Sequence, residues 1–362
     1  MIERLRYAEG SPRRAAASDP AARWVSHAPA IAGVATGAAA MLAVVAWHAL
    51  APASAERYAL VPLLLGLVLF GLPHGALDHL VPARLGFAWG RRPLGLTVYL
   101  AAYAGVAAAY LGLWLVSPRV AFVGFLVATV LHWGQGDLRF LELFAGRRPV
   151  RWWGRAATVA LRGALPVVVP VLAFPETAEG LLRAATGALG VDVGALDLAA
   201  DPLRWALVAA LGLVAAAYVA SARRAWSTRR GLALDLGEVA LLAVTFALVP
   251  AYLAIGAYFL LWHSFRHLIR LLMLRPEDAR SVAAGRPIRP VLRLTRDLVP
   301  ITLLALAFLA GLVLWAAPRM DGALDLVALS LVWISALTMP HLVVVALMDT
   351  APQTDTSVAP EP

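Results

Sequence analysis

The stretch VPITLLALAFLAGLVLWAA (299–317) runs for nineteen residues without a charged side chain. A bilayer-spanning helix needs about 20 mostly apolar residues, because each residue adds about 1.5 Å to its length. The whole chain shares this character, since 61% of its 362 residues are hydrophobic and 15% are charged. Soluble domains carry about 25% charged residues. The composition therefore excludes a soluble, a disulfide-rich secreted or a disordered protein, and it predicts an all-α integral membrane protein.

Apolar runs separated by proline, glycine and arginine clusters predict a polytopic bundle of about ten transmembrane helices. The predicted helices cover residues 28–50, 58–80, 94–116, 119–143, 155–173, 202–221, 232–249, 251–273, 297–317 and 323–348. The seventh and eighth meet at Pro250, which predicts two helices joined by a tight turn, since one continuous helix would be about twice the spanning length. The connection 174–201 is long, and its Leu/Ala pattern suggests an interfacial helix.

The arginines test this helix count independently, because all 31 basic residues are arginine. If the N-terminus is cytoplasmic, the segments on that side hold 23 arginines and the connections on the other side hold 4. Cytoplasmic loops of membrane proteins carry an excess of basic residues, so the split supports ten spans with both termini cytoplasmic. The net charge of +9 is then explained by topology and by contact with anionic lipids, and no nucleic-acid partner is expected.

The sequence divides into three regions around one membrane domain. Residues 1–27 are polar and arginine-rich, and we predict a cytoplasmic tail there instead of a cleaved signal peptide. Residues 28–348 form the predicted transmembrane catalytic domain of a multi-pass cell-membrane protein. Residues 349–362 are rich in proline and threonine and are predicted to be a disordered cytoplasmic tail. No pattern specifies an oligomeric state.

The histidines are the candidate metal ligands of this sequence. The chain has no cysteine, so a metal would need His, Asp, Glu or carbonyl ligands. Six of the eight histidines fall on predicted helices two, four, eight and ten, and five of them lie at depths of about 18–27 Å from the external ends. Polar side chains at such depths are costly and usually functional. The six are His74, His79, His132, His263, His267 and His341.

The spacing of these residues points to a metal. His263 and His267 are four residues apart, so they share a helix face and can bind one ion. His74 and Asp78 have the same spacing, which predicts that Asp78 holds the second ring nitrogen of His74. Neutral imidazole suits iron, copper or zinc. With no thiolate and an apolar setting, we expect an iron site for oxygen chemistry.

Small and aromatic residues surround the histidines, and each group has two interpretations. The glycines and prolines serve either close helix packing or broken helix ends that open a cavity: Gly71, Pro73, Gly75, Gly134, Gly136 and Pro340. The aromatic residues either pack in the core or line a channel for a long conjugated hydrocarbon: Phe70, Trp133, Tyr258, Phe259, Trp262 and Phe265. Arg266 and Arg270 are predicted to snorkel to the cytoplasmic surface.

Four segments together resemble the bacteriorhodopsin-related (Brp/Blh) family of membrane β-carotene 15,15′-dioxygenases. They are GLPHGALDHL (71–80), LHWGQGDL (131–138), WHSFRHLIRL (262–271) and MPHLVVVALMD (339–349). The resemblance implies a catalytic Fe(II) ion held by His74, His132, His263 and His267. We expect the other candidates around these ligands or in the pocket wall, namely Asp78, His79, Asp137, His341, Trp133, Trp262 and Phe265.

The resemblance also implies the reaction. β-Carotene enters from the bilayer, O2 binds at an open position on the iron, and cleavage of the central double bond yields two molecules of all-trans-retinal. A water-insoluble polyene is compatible with a site inside the membrane, where an apolar shell keeps water away. Another carotenoid substrate stays open at this point.

Two alternatives belong to other classes. A membrane iron oxygenase of the hydroxylase or desaturase type needs more ligands for two irons and adjacent histidines, and this sequence has no His-His pair. A non-enzymatic haem or carotenoid/retinal-binding protein is the second alternative, with His132 and His263 as an example of a haem-ligand pair.

Overall fold

The computed structural model describes residues 20–192 and 200–350, which form helices with no strand among them. We label the long helices α1 (Pro20–Leu50), α2 (Leu60–Gly66, Leu67–Gly71 and Leu72–Gly75), α3 (Pro93–Val116), α4 (Pro118–Leu143), α5 (Trp152–Ala173), α6 (Pro175–Leu189), α7 (Asp201–Ala225), α8 (Arg229–Leu248), α9 (Ala251–Tyr258, Phe259–His263 and Ser264–Leu272), α10 (Ile288–Ala316) and α11 (Ala323–Thr350). Shorter helices lie at Pro52–Arg57, Asp78–Leu80, Val81–Arg84, Ala88–Arg91, Pro276–Ala283 and Ala317–Arg319.

These helices confirm the predicted all-α, polytopic membrane fold. Among the described residues, 8 helical segments are long and apolar enough to cross a membrane, and they belong to α1, α2, α3, α5, α7, α8, α10 and α11. The other two predicted spans correspond to α4 and α9, whose apolar runs are interrupted by histidines and charged residues. The cytoplasmic placement of the termini stays a prediction.

Two predicted connections are confirmed as local structure. α8 ends at Leu248 and α9 begins at Ala251, so Pro250 does lie in a tight turn. Part of the connection 174–201 is helical, since α6 covers Pro175–Leu189. Its buried face carries Leu182 and Ala185, which pack in one apolar cluster with Leu329 of α11. Residues 193–199 lie outside the described part.

The ends of the membrane domain differ from the predicted boundaries. α1 begins at Pro20, inside the predicted tail 1–27, while residues 1–19 lie outside the described part. α11 continues to Thr350, and the Asp349 carboxylate accepts hydrogen bonds from Gln135, Arg139 and Arg270. Asp349 therefore does not belong to a disordered tail, because ion pairs hold it against α4 and α9. Residues 351–362 lie outside the described part.

α4 and α5 are in backbone contact. A Cβ atom added at Gly134 would lie 1.8 Å from the carbonyl oxygen of Val159, and one added at Gly163 would lie 1.8 Å from that of Val130. Small residues permit this approach, as in other membrane helix pairs. For Gly134, the packing interpretation of the sequence is the correct one, and the contact fixes the helix that carries His132.

We expect Gly163→Ala to destabilise the fold by about 1–3 kcal/mol or more, because backbone atoms cannot give way like a flexible side chain. The matched control is Gly112→Ala, since no described atom outside the neighbouring turns of the same helix lies within 4 Å of a Cβ at that position. Thermal unfolding in detergent measures both. A Gly163→Ala protein that melts at the temperature of the control would contradict the backbone contact.

Candidate metal centre

Two π-helical turns lie next to the site. One covers Leu67–Gly71 in α2, just before His74, and the other covers Phe259–His263 in α9. The two turns pack together, and a Cβ added at Gly71 would lie 2.4 Å from the Phe259 ring. π-Turns inside α-helices are often found at functional sites, because the extra residue redirects side chains.

Five histidines converge on the space beside these turns. They come from α2, α4, α9 and α11, all are buried, and they are His74, His132, His263, His267 and His341. Ring centroids of His132 lie 4.8 Å from those of both His263 and His341. The His74 ring lies 5.3 Å from His267 and 5.0 Å from His341. The structure thus brings together the four predicted ligands and also His341.

The ring nitrogens show how these side chains are oriented. Nδ1 of His74 lies 3.0 Å from the carbonyl oxygen of Phe70. Nδ1 of His341 lies 2.8 and 3.0 Å from the carboxylate oxygens of Asp78. Both acceptors require a donating Nδ1–H, which leaves Nε2 as the nitrogen with a lone pair. Histidines that bind metals are held in this way by their other ring nitrogen.

The remaining nitrogens fit a metal better than a hydrogen-bond network. Nε2 of His132 and Nε2 of His263 lie 3.2 Å apart. Two nitrogens about 2.1 Å from one ion are separated by about 3 Å at a right angle. Both nitrogens of His267 and Nε2 of His341 are buried without a hydrogen-bond partner among the described residues.

One group of three histidines among the described residues has the geometry of a metal site, and two of its members are predicted ligands. His74, His132 and His341 can each place one nitrogen within 4.8 Å of the others, so this buried three-histidine group could bind a metal. The predicted bond between Asp78 and His74 is wrong. α2 ends at Gly75 and Asp78 begins a separate 3₁₀ turn, so the two residues do not share a helix face. Asp78 instead pairs with His341 and accepts a hydrogen bond from Tyr103.

A cavity of about 560 Å³ adjoins the histidines. Its wall is mostly apolar, and it includes His74, His132 and His341 together with His79, Trp133 and Phe259. His79 is half-buried and its Nδ1 lies 2.8 Å from the carbonyl oxygen of Ala76. A second cavity of about 120 Å³ shares the wall residues Phe125, Thr129, Trp133, Phe259 and Ile334 with the first. Gly71 and Gly75 both line the first cavity, so the end of α2 at Gly75 opens onto it.

Sequence comparison with known proteins identifies a family. A family model described as β-carotene 15,15′-dioxygenase matches residues 65–349, which contain all five clustered histidines. The chain belongs to the β-carotene 15,15′-dioxygenase family. A protein named probable β-carotene 15,15′-dioxygenase Blh, from Halobacterium salinarum, is 36% identical to this dioxygenase over 304 residues, or 81% of this chain and 84% of the relative.

A second relative extends the comparison. The probable β-carotene 15,15′-dioxygenase Brp of the same organism is 32% identical over 314 residues, which cover 79% of this chain and 82% of the relative. No solved structure matches this dioxygenase-family chain significantly.

A buried ion-pair network connects the helices around the histidines of the dioxygenase. Asp137 of α4 bonds Arg162 and Arg266 at 2.9 and 3.0 Å, and both arginines also bond Glu238 of α8. Arg162 further pairs with Asp235 at 2.5 Å. The network ties α4, α5, α8 and α9 together, and Asp137 and Arg266 lie on the same helices as His132 and His263.

The network corrects several predictions. Arg266 and Arg270 do not snorkel, because both are buried and paired with carboxylates. Among the described residues, the cavity wall includes Trp133 but neither Trp262 nor Phe265. Trp262 instead donates to Asp137, and the Arg266 guanidinium lies 4.1 Å from its ring centroid.

Sequence reasoning missed several residues that support the site. Arg162 and Glu238 each interrupt an apolar helix, so the cost of a charge in a membrane was an available signal. Tyr103 gave no comparable signal, because an aromatic residue in an apolar helix is ordinary. Its hydroxyl donates to Asp78 over 2.9 Å and so helps to orient the partner of His341.

Proposed function

We propose that this dioxygenase cleaves the central 15,15′ double bond of β-carotene with O2 and releases two molecules of all-trans-retinal. The observation that carries this proposal is the largely apolar cavity of about 560 Å³ whose wall contains His74, His132 and His341. A water-insoluble polyene needs a site among membrane helices, with its reactive bond beside the metal-binding residues. The names of the two halobacterial relatives support the same substrate.

The proposed cofactor is one Fe(II) ion in the five-histidine cluster. The ligands are His74, His132, His263 and His267. We add His341 because its Nε2 has no hydrogen-bond partner in the described part of the chain and its Nδ1 is held by Asp78. Imidazole nitrogens suit iron, and the unpartnered nitrogens fit a bound cation. When bound, iron supplies the redox chemistry that allows O2 to react with a closed-shell double bond.

The protein's own groups orient the ligands and the substrate. The Phe70 carbonyl and the Asp78 carboxylate hold Nδ1–H of His74 and His341, which fixes the tautomer that presents Nε2. Trp133 and Phe259 line the cavity beside His132, where flat aromatic faces suit a conjugated chain. The apolar wall excludes water from the oxidised product.

The proposed reaction needs no proton from the protein. The carbon–carbon double bond breaks, each of its two carbons takes one oxygen atom from O2, and two aldehydes result. A free carboxyl group is therefore not needed in the cavity as a proton donor. Asp78, the acidic residue among the described lining, is already bonded to His341 and Tyr103. Among the described residues, the clustering of five histidines in one place supports one iron over a two-iron hydroxylase or desaturase site.

The experiment is expression in β-carotene-producing cells, with retinal extraction and metal analysis of the purified protein. We expect the cells to lose their orange colour, two retinals to form per carotene consumed, and iron to be bound. A His263→Ala variant of the same expression level is the control and should leave the cells orange. Folded wild-type protein that leaves carotene intact would refute the proposed reaction, and a Soret band would indicate haem instead.

The proposed location is the cell membrane, with O2 and the carotenoid both reaching the site through the lipid bilayer. The eight long apolar helices support a multi-pass membrane protein. Fractionation of expressing cells, with activity measured in the membrane and soluble fractions, tests the location.

A further inference from the structure

The 560 Å³ cavity reaches the outer surface of the helix bundle. Three of its lining side chains are also exposed there, namely Leu100 of α3 (42% exposed) and Leu304 and Phe308 of α10 (52% and 60%). Because the same side chains face both the cavity and the surroundings, the cavity opens between α3 and α10. The inner wall of this cavity is formed by His74, His132 and His341.

The gap between these helices has a clear structural basis. Ala104 and Ala108 of α3 line the cavity and are exposed, and their small side chains leave space beside α10. On the other side, Phe308 stacks on Trp333 of α11 with ring centroids 5.9 Å apart. The opening is therefore bordered by methyl groups along one edge and by a stacked aromatic pair along the other.

The opening faces lipid. Leu100, Leu304 and Phe308 all lie within segments that are long and apolar enough to cross the membrane. No charged residue occurs in α3 between Leu94 and Val116 or in α10 between Leu298 and Ala317. A molecule that passes between the two helices therefore leaves the acyl-chain region without crossing water or a charged surface.

We infer that the gap between α3 and α10 is a lateral portal through which an elongated apolar hydrocarbon passes from the bilayer to the histidine cluster. The inference rests on the proposed function for the identity of that hydrocarbon as a carotenoid. The observation that supports it is that one cavity extends from exposed leucine and phenylalanine side chains to the buried histidines. A lipid acyl chain is the competing occupant.

Bulky substitutions at the rim test the portal by kinetics. Leu304→Trp and Ala108→Phe should each lower kcat/KM for β-carotene about tenfold or more, mainly through KM, because access to the site is restricted. Leu303→Trp and Ala109→Phe are matched controls. Both are exposed neighbours on the same helices that do not line the cavity, and they should stay within about twofold of wild type. Iron content should be equal in all four proteins.

A binding measurement separates this inference from the proposed reaction. Chelator-treated wild-type protein, incubated with β-carotene in liposomes and purified again, should retain carotenoid that is measurable by absorbance. Chelator-treated Leu304→Trp protein should bind less carotenoid per protein than the wild type, while chelator-treated Leu303→Trp protein should bind the same amount. This comparison holds even if the protein cleaves nothing. Equal carotenoid and equal kcat/KM in the rim and control variants, or a cavity that retains only lipid, would overturn the portal.

Discussion

Replacing His132 with alanine is expected to remove bound metal and carotene cleavage together. Nε2 of His132 lies 3.2 Å from that of His263, and its ring centroid lies 4.8 Å from that of His341. No other residue of the cluster has two such close histidine neighbours. We expect a loss of metal affinity of at least about a hundredfold, since removal of a group that merely orients a ligand already costs 10–100-fold. Iron per mole of protein and retinal per mole of carotene are the measurements.

His48 provides the control for this experiment. It lies near the end of α1 and is not part of the histidine cluster, so His48→Ala should keep both iron and activity. A His132→Gln variant of similar size tests whether loss of metal reflects the ligand or the packing. If His132→Ala protein keeps a full complement of iron and still forms retinal, the metal centre has been placed wrongly.

Replacing Arg162 with methionine is expected to cost about 3–5 kcal/mol of unfolding free energy, the range for breaking a buried ion pair from one side. Arg162 is completely buried and bonds Asp137, Asp235 and Glu238. Arg266 still neutralises Asp137 and Glu238 in the variant, but Asp235 loses its only arginine partner among the described residues. The buried carboxylate then keeps its hydrogen bonds from Tyr218 and Trp226 but has lost its ion pair.

Arg155→Met is the matched control, because Arg155 lies on the same helix and its side chain is 35% exposed. It pairs with Glu142, which keeps Arg139 as a second partner in the variant, so we expect a cost of about 1 kcal/mol or less. Adding Asp235→Asn to Arg162→Met should recover part of the lost stability by removing the unpaired charge. Melting temperatures in detergent compare the variants. Equal melting temperatures for Arg162→Met and Arg155→Met would show that the network contributes little.

The helices and the histidines were predictable because lipid imposes simple rules. Uncharged runs such as 299–317 have few alternatives to a spanning helix. Basic residues are rare in the loops on the non-cytoplasmic side of a membrane, and a histidine within the membrane is costly unless it has a function. These rules act on single positions along the chain, so they single out all six histidines on the predicted helices without knowledge of how helices pack. The choice of four ligands among them rested on the family resemblance.

The pairings in the site could not be predicted because they depend on helix ends and on contacts between distant helices. The spacing of His74 and Asp78 indicated a shared helix face, but α2 ends at Gly75. Asp78 then meets His341, 263 residues away along the chain. Arg266 likewise has its carboxylate partners on α4 and α8. Sequence spacing contains no information on either contact.

The π-turn at Phe259–His263 has a consequence for tolerance to changes in length. It holds one residue more than an α-helical turn would, so α9 can lose Leu261 and close to a uniform α-helix while its two ends keep their relative orientation. A deletion in a part of α9 that is already α-helical would instead rotate one end against the other by about 100°, the angle per residue of an α-helix. Deletion of Phe265, for example, would turn His267 by that angle away from the histidines that His263 faces. In this dioxygenase, a residue missing inside the π-turn should therefore be less disruptive than one missing half a turn later.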